Sequence, residues 1–401
     1  MSQTVEQITS ILKYSAIKML PGVFGLITLP LVILYLGLED YGRYSILQAY
    51  TLLVVAVGSA LVTQPMYRYL SSAPDDQSKF SCMVIMVSAI ASSLTLATVW
   101  LYSQSFVYAS GMSLFSLLAI LYAYTAVLFQ LDGAIAKLAY IEFLRVGLFF
   151  TLVVGGESYI GSLTIAQVIY ASVVSYATPM LFYMPTIKFE MPKLPWLRER
   201  FLYGLNGAVW LLIAGAPWLV GKAMIDSAAG SLALGQFSAI SDIFYRGFGM
   251  INSAVVMSVF PLLSREWDSG NLGAVRRIYF LGLIVYLALS AASYFALCML
   301  FWFFPEFFGD FDLLTGSTLL LIVACIIWQI LSLTHKRIEL ALRVKENTKN
   351  ILISFVIFQV MAYGSVYHSS YDAISAVASA IIVSGLYYAL KSLMYRERYT
   401  G

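Results

Sequence analysis

Residues 112–131 read MSLFSLLAILYAYTAVLFQL, a run with no Asp, Glu, Lys or Arg. An α-helix needs about 20 apolar residues to cross a hydrocarbon core of about 30 Å. A spanning β-strand needs only about ten, with alternate positions polar, and this run has no such alternation. Similar runs recur on both sides, at 14–36, 44–67, 81–102, 112–135, 139–156, 162–184, 203–223, 238–262, 277–303, 314–334, 350–367 and 373–392. The pattern predicts an all-α polytopic membrane protein with about twelve transmembrane helices. Composition leads to the same class. Hydrophobic residues make up 60% of the chain and charged residues 11%. Soluble domains are nearer half and a quarter. A water-soluble particle of this composition lacks the polar surface to cover its core, so lipid is the expected solvent.

Several chemistries have no footing in the sequence. The three cysteines, Cys82, Cys298 and Cys325, all lie in apolar runs and read as small hydrophobes. Two histidines, His335 and His368, fall near helix ends. There is no HExxH, no CxxC and no Walker P-loop, so no metal site, cofactor or resident ATPase is expected. The segment Met1 to Lys13 is polar, and the apolar run after it is too long for a signal h-region. It is expected to remain as the first span.

Basic residues give the orientation. With twelve spans, the termini and even-numbered loops collect about 20 of the 24 Lys and Arg residues. The exceptions are Arg43, Arg145, Lys222 and Arg246. The opposite loops are acidic, with Glu39, Asp40, Glu157, Asp226, Glu306, Asp310, Asp312 and Asp372. Both termini are therefore expected in the cytoplasm. The longest basic break, Pro185 to Arg200, holds Pro185, Pro192 and Pro195 at the middle of the chain. It divides the sequence into an N-terminal six-helix bundle (1–185), a cytoplasmic linker (186–200) and a C-terminal six-helix bundle (201–401).

The halves repeat a short pattern. Gly42-Arg43-Tyr44-Ser45, read as an external turn, is followed by Pro65 and Arg68. Gly235-Gln236-Phe237-Ser238 is followed by Pro261 and Arg265. Six spans per copy keep the copies in one membrane orientation, which makes this a parallel internal repeat.

The stretch Leu36-Gly37-Leu38-Glu39-Asp40-Tyr41-Gly42-Arg43-Tyr44-Ser45 resembles the LG-x-x-x-YG-x-[FY]S signature of bacterial polysaccharide (O-antigen type) flippases. These belong to the multidrug/oligosaccharidyl-lipid/polysaccharide exporter superfamily. Leu234 to Ala239 and Phe260-Pro261-Leu262-Leu263-Ser264-Arg265 resemble the family's eighth-span region. The resemblance implies two six-helix bundles in a V around a central cavity. It implies that an undecaprenyl-diphosphate-linked oligosaccharide, an O-antigen or related surface repeat unit for lipopolysaccharide or polysaccharide biosynthesis, crosses the membrane by alternating access. It also implies the lipid bilayer and the polysaccharide polymerase and chain-length machinery as partners, with no nucleic acid. In one respect the chain departs from the pattern, because no ionised residue stands between Lys18 and Glu39.

Ionised side chains inside spans cost about 2.5–3.5 kcal/mol on insertion scales, so they mark packed pairs or polar cavities. Asp242 and Arg246, four apart, share a helix face. Arg246 is a candidate for the cargo diphosphate and Asp242 for a coupling ion, the alternative being a self-satisfied ion pair. Lys222, at the end of its span, reads as a cationic rim or as a side chain snorkelling to the interface. Glu142 and Arg145, three apart, read as a head-group receiver or a local pair. Asp132 stands within reach of Lys137 or Arg145. Arg43 reads as a cation for the cargo or as a solvated charge of the turn, and Lys18 as a guide for the diphosphate or a helix anchor.

Two other functions compete. An ion-coupled multidrug exporter of the same fold is expected to hold an acid deep in the first bundle, where this chain has only Asp132 and Glu142 near the cytoplasmic end. A membrane glycan polymerase is expected to need a long external loop for its catalytic residues, and the external breaks here are short. The chain therefore reads as a transporter rather than an enzyme.

Overall fold

The computed structural model describes residues 3–70, 73–183, 189–303, 315–340, 344–368 and 372–394, with backbone alone for 3–21 and for some positions at helix ends. All regular structure among them is helical. The helices are α1 (Gln3–Pro65), α2 (Gln77–Ser103), α3 (Phe106–Leu131), α4 (Ile135–Ile160) and α5 (Ile165–Tyr183). They continue with α6 (Leu194–Asp268), α7 (Leu272–Phe303), α8 (Gly316–Leu340), α9 (Val344–His368) and α10 (Ala373–Leu393). A π turn at Met66–Leu70 and a 3-10 turn at Pro74–Asp76 link α1 to α2.

Among the described residues, 10 stretches are long and apolar enough to cross a membrane. Two of them are of double length. The helix α1 is broken at Gly37 (φ 73, ψ 162) and α6 at Gly230 (φ 82, ψ 177). That backbone region is open essentially to glycine alone, because a Cβ would collide with the flanking peptide groups. Counting the two arms of each separately restores twelve segments of spanning length.

This arrangement corrects one reading. Gly42-Arg43-Tyr44-Ser45 is not an external turn but lies in the helical second arm of α1. One glycine makes the whole break, so no loop is needed. The same holds for Gly235-Gln236-Phe237-Ser238 in α6. In both copies the Gly-x-aromatic-Ser follows the break glycine at the same spacing. Tyr44 and Phe237 are buried, as are Ser45 and Ser238. The repeated letters thus mark the packed beginning of an arm rather than an exposed loop.

The chain forms two compact units, Met1–Leu219 and Val220–Gly401, with the boundary inside α6. In the first unit α2 and α3 are joined by a hydroxyl pair, Ser81 with Tyr124 at 2.7 Å, and by Ser92 with Ser113 at 2.7 Å. Tyr50 of α1 donates to Thr98 of α2 at 2.8 Å. Between them lies a core of Val62, Met66, Phe80, Met83, Ile120 and Tyr124. Small residues set the closest approaches. A Cβ on Gly204 would stand 2.5 Å from the backbone oxygen of Leu61. In the second unit α8 and α10 pack closely, and a Cβ on Gly385 would meet Ile327 at 2.8 Å. The Ser354 hydroxyl of α9 donates to the Ser384 carbonyl of α10 at 2.7 Å.

Candidate functional site

The break at Gly230 decides which charges meet in the second unit. Lys222 stands on the arm before it and Asp242 on the arm after it. The Lys222 ammonium donates to both Asp242 carboxylate oxygens at 3.0 Å. The Lys222 side chain is 3% exposed and that of Asp242 19%. Beside it, Gly221 lets the arm sit against α10, because a Cβ there would stand 2.7 Å from Val377. The snorkelling reading of Lys222 is thereby corrected: the amine turns inward to a carboxylate instead of reaching an interface. Arg246, one turn beyond Asp242, is half-buried.

A polar seam continues along the same arm. Gln329 of α8 donates to the Tyr245 carbonyl at 3.1 Å, Asn252 bonds to Ser332, and Cys325 faces the Ser241 carbonyl at 3.9 Å. Gly249 makes room for Gln329, whose Nε2 would lie 3.1 Å from an added Cβ. Spans joined by amide and hydroxyl groups are held in register where apolar contacts alone would let them slide.

In the first unit, Arg145 and Glu142 of α4 form an ion pair at 2.9 Å, with side chains 14% and 6% exposed. The guanidinium also lies over the rings of Tyr176 (4.8 Å) and Tyr122 (5.5 Å) and donates to the Tyr176 hydroxyl at 3.3 Å. These partners surround it from α3, α4 and α5, and they use its charge inside the unit. Asp132 caps the C-terminus of α3 and is exposed. Of the partners within its reach in sequence, Lys137 lies over Phe129 and Arg145 faces Glu142. Arg43 is exposed and pairs with Glu39 at 2.7 Å and Asp40 at 3.6 Å. Lys18 lies on α1 but outside the residues whose side chains are described.

The structure therefore brings together Lys222 with Asp242, and Glu142 with Arg145, each within one unit. Sequence spacing found the second pair and missed the first, whose members are separated by a backbone break. It also missed Tyr122 and Tyr176, because tyrosines in spans read equally as interface belts. The spans read at 203–223 and 238–262 hold two cations, Lys222 and Arg246, and one anion, Asp242.

No family model and no curated protein matches the sequence. Solved structures do. The chain is similar to the inward-facing conformation of a multidrug resistance MATE family transporter of the MOP superfamily, with a TM-score of 0.65 at 13% identity, over 95% of this chain and 94% of that one. It is similar to an outward-facing MATE transporter, with a TM-score of 0.60 at 15% identity, over 96% and 94%. A third similar structure is a MOP superfamily transporter from Pyrococcus furiosus, for which a binding pocket of reversed polarity is described as suggesting a different function (TM-score 0.58, 12% identity, over 96% and 95%). The likeness is one of fold, and it extends over nearly the whole chain.

Proposed function

We propose that the chain is a transporter working by alternating access, and that its cargo is an undecaprenyl-diphosphate-linked oligosaccharide moved across the bacterial inner membrane. The observation that carries this reading is the sign of the charge on the spans before and after Gly230, where Lys222 is buried and Asp242 and Arg246 are half-buried. Lys222 and Arg246 outnumber Asp242 in a medium of low dielectric, where an anion is attracted far more strongly than in water. A diphosphate suits such a place. The signature around Gly37 and Gly42, and its buried counterpart around Gly230 and Gly235, support the same choice. With no nucleotide-binding motif in the sequence, the driving energy falls to an ion gradient or mass action, with Asp242 as the candidate ion site.

A multidrug exporter of the same fold is the second reading, favoured by the structures that this chain resembles. A site for cationic drugs calls for an acid without a cation beside it. Glu142, which is buried, and Asp242, 19% exposed, each face a basic side chain. Glu157 near the end of α4, with one carboxylate oxygen buried and without a hydrogen-bond partner among the described residues, is the acid that such a reading would use.

Deleting the gene in its native host and analysing the surface glycan separates the two. Loss of surface polymer with accumulation of lipid-linked oligosaccharide supports the flippase. Unchanged glycan with altered drug sensitivity supports the exporter. Restoring the deletion with Arg246→Ala at normal membrane levels is expected to leave the polymer absent. Full rescue would remove Arg246 from the transport path.

A further inference from the structure

We infer that the outer face of the first turns of α6 binds the phosphate headgroup of an anionic membrane lipid. The site is built in the first unit and does not depend on what the protein transports.

The inner face of these turns is fastened to the unit. The Trp196 indole donates to Asp76 at 2.8 Å, and its ring meets Phe80 edge-on at 5.0 Å. One turn on, Arg200 lies over the rings of Tyr69 (4.3 Å) and Trp196 (5.1 Å) and pairs with Glu199. Just before the helix, Ser78 donates to the Glu190 carboxylate at 3.0 Å. Lys79 lies 2.8 Å from Asp76 and 3.9 Å from Glu190. Asp76, Glu190 and Glu199 thus already face cations of their own.

The outer face is different. Leu194, Arg198 and Leu202 recur every four residues, so they form one stripe along the helix. Leu194 is 76% exposed and Leu202 50%. With Pro195 and Glu199 they line an open groove of about 450 Å³. Lys193 and Arg198 are exposed, and among the described residues neither has a carboxylate partner.

A basic fork between two exposed leucines matches one ligand class: a phosphate ester carrying hydrocarbon chains. Arginine binds phosphate through two parallel N–H bonds. The leucines offer nothing to a soluble anion but suit an acyl chain. The face lies on the side of the chain that collects most of the basic residues, where anionic lipids concentrate. Because the inner face is clamped, the arginine is held on a rigid helix before lipid arrives, and little ordering remains to oppose binding.

Native mass spectrometry of the full chain, released from nanodiscs of phosphatidylglycerol and phosphatidylethanolamine, tests this. The wild type is expected to retain phosphatidylglycerol preferentially. Each basic residue near an anionic headgroup contributes about fivefold, so Lys193→Gln with Arg198→Gln is expected to lower the preference by about tenfold or more. Arg276→Gln, an exposed arginine at the start of α7, is expected to leave it intact. All three side chains are exposed, so the changes do not touch the interior. An unchanged preference in the double variant, or an equal loss in Arg276→Gln, would overturn the site. Retention of lipid against excess glycerol phosphate supports a lipid ligand, and displacement would overturn it in favour of a soluble phosphate.

Discussion

Within the second unit the decisive contact is one ammonium held by both oxygens of one carboxylate. Removing a single member of such a buried pair leaves the other charge without compensation, at about 3–5 kcal/mol. Lys222→Ala and Asp242→Ala are each expected to lower the thermal midpoint in detergent sharply. Lys222→Met combined with Asp242→Leu is expected to lie much closer to the wild type, because it removes both charges and keeps the volume. A double variant as unstable as the sum of the single ones would mean that the two residues do not act as a pair. Glycines give a second contrast at this scale. A methyl on Gly204 meets the Leu61 backbone, which cannot rotate away, whereas one on Gly147 meets nothing within 4 Å. Gly204→Ala is expected to destabilise by about 1–3 kcal/mol, and Gly147→Ala to stabilise by up to about 1 kcal/mol. Thermal melts of both variants check the sign as well as the size.

Among the elements, α1 and α6 are built alike: two arms, one glycine between them, and a buried Gly-x-aromatic-Ser at the start of the second arm. The positive φ with extended ψ is a cost of about 1–3 kcal/mol for any residue with a Cβ. Gly37→Ala and Gly230→Ala are therefore expected to lose similar stability, although open space surrounds both positions. A loss in one and none in the other would show that the breaks are not equivalent devices. The seam between α6 and α8 works differently. Its amide and hydroxyl bonds set register within the second unit, and Gly249 is the position where a larger side chain would push Gln329 out of it.

At the scale of the whole molecule, the count of twelve segments makes a topological prediction. Ser162, between α4 and α5, and Ser269, between α6 and α7, lie in turns, and the even count with the bias of basic residues predicts that these turns face opposite sides of the membrane. With the three native cysteines replaced by alanine, Ser162→Cys is expected to react with an impermeant maleimide on intact cells. Ser269→Cys is expected to react only after permeabilisation. Labelling of both from outside would break the even count and the orientation drawn from the basic residues.

Much of this could be read from the chain before any coordinates. Runs of about 20 apolar residues without alternation dictate helices, since a bilayer admits only helices and closed barrels and a barrel strand is about half as long and alternates. The repeat was visible in a few letters, and Glu142 with Arg145 followed from helical spacing alone, because three residues are less than one turn apart. The ion pair of Lys222 with Asp242 was not visible in that way. Helical periodicity relates residues on one continuous helix, and a glycine with positive φ ends that relation at a single position. Whether Lys222 reached outward or inward, and whether Gly42 to Ser45 formed a loop or an arm, depended on where the backbone broke. The letters place glycines near both sites, but only the folded arms, packed against α10 and α8, select Gly230 as the break and carry the buried amine to its carboxylate.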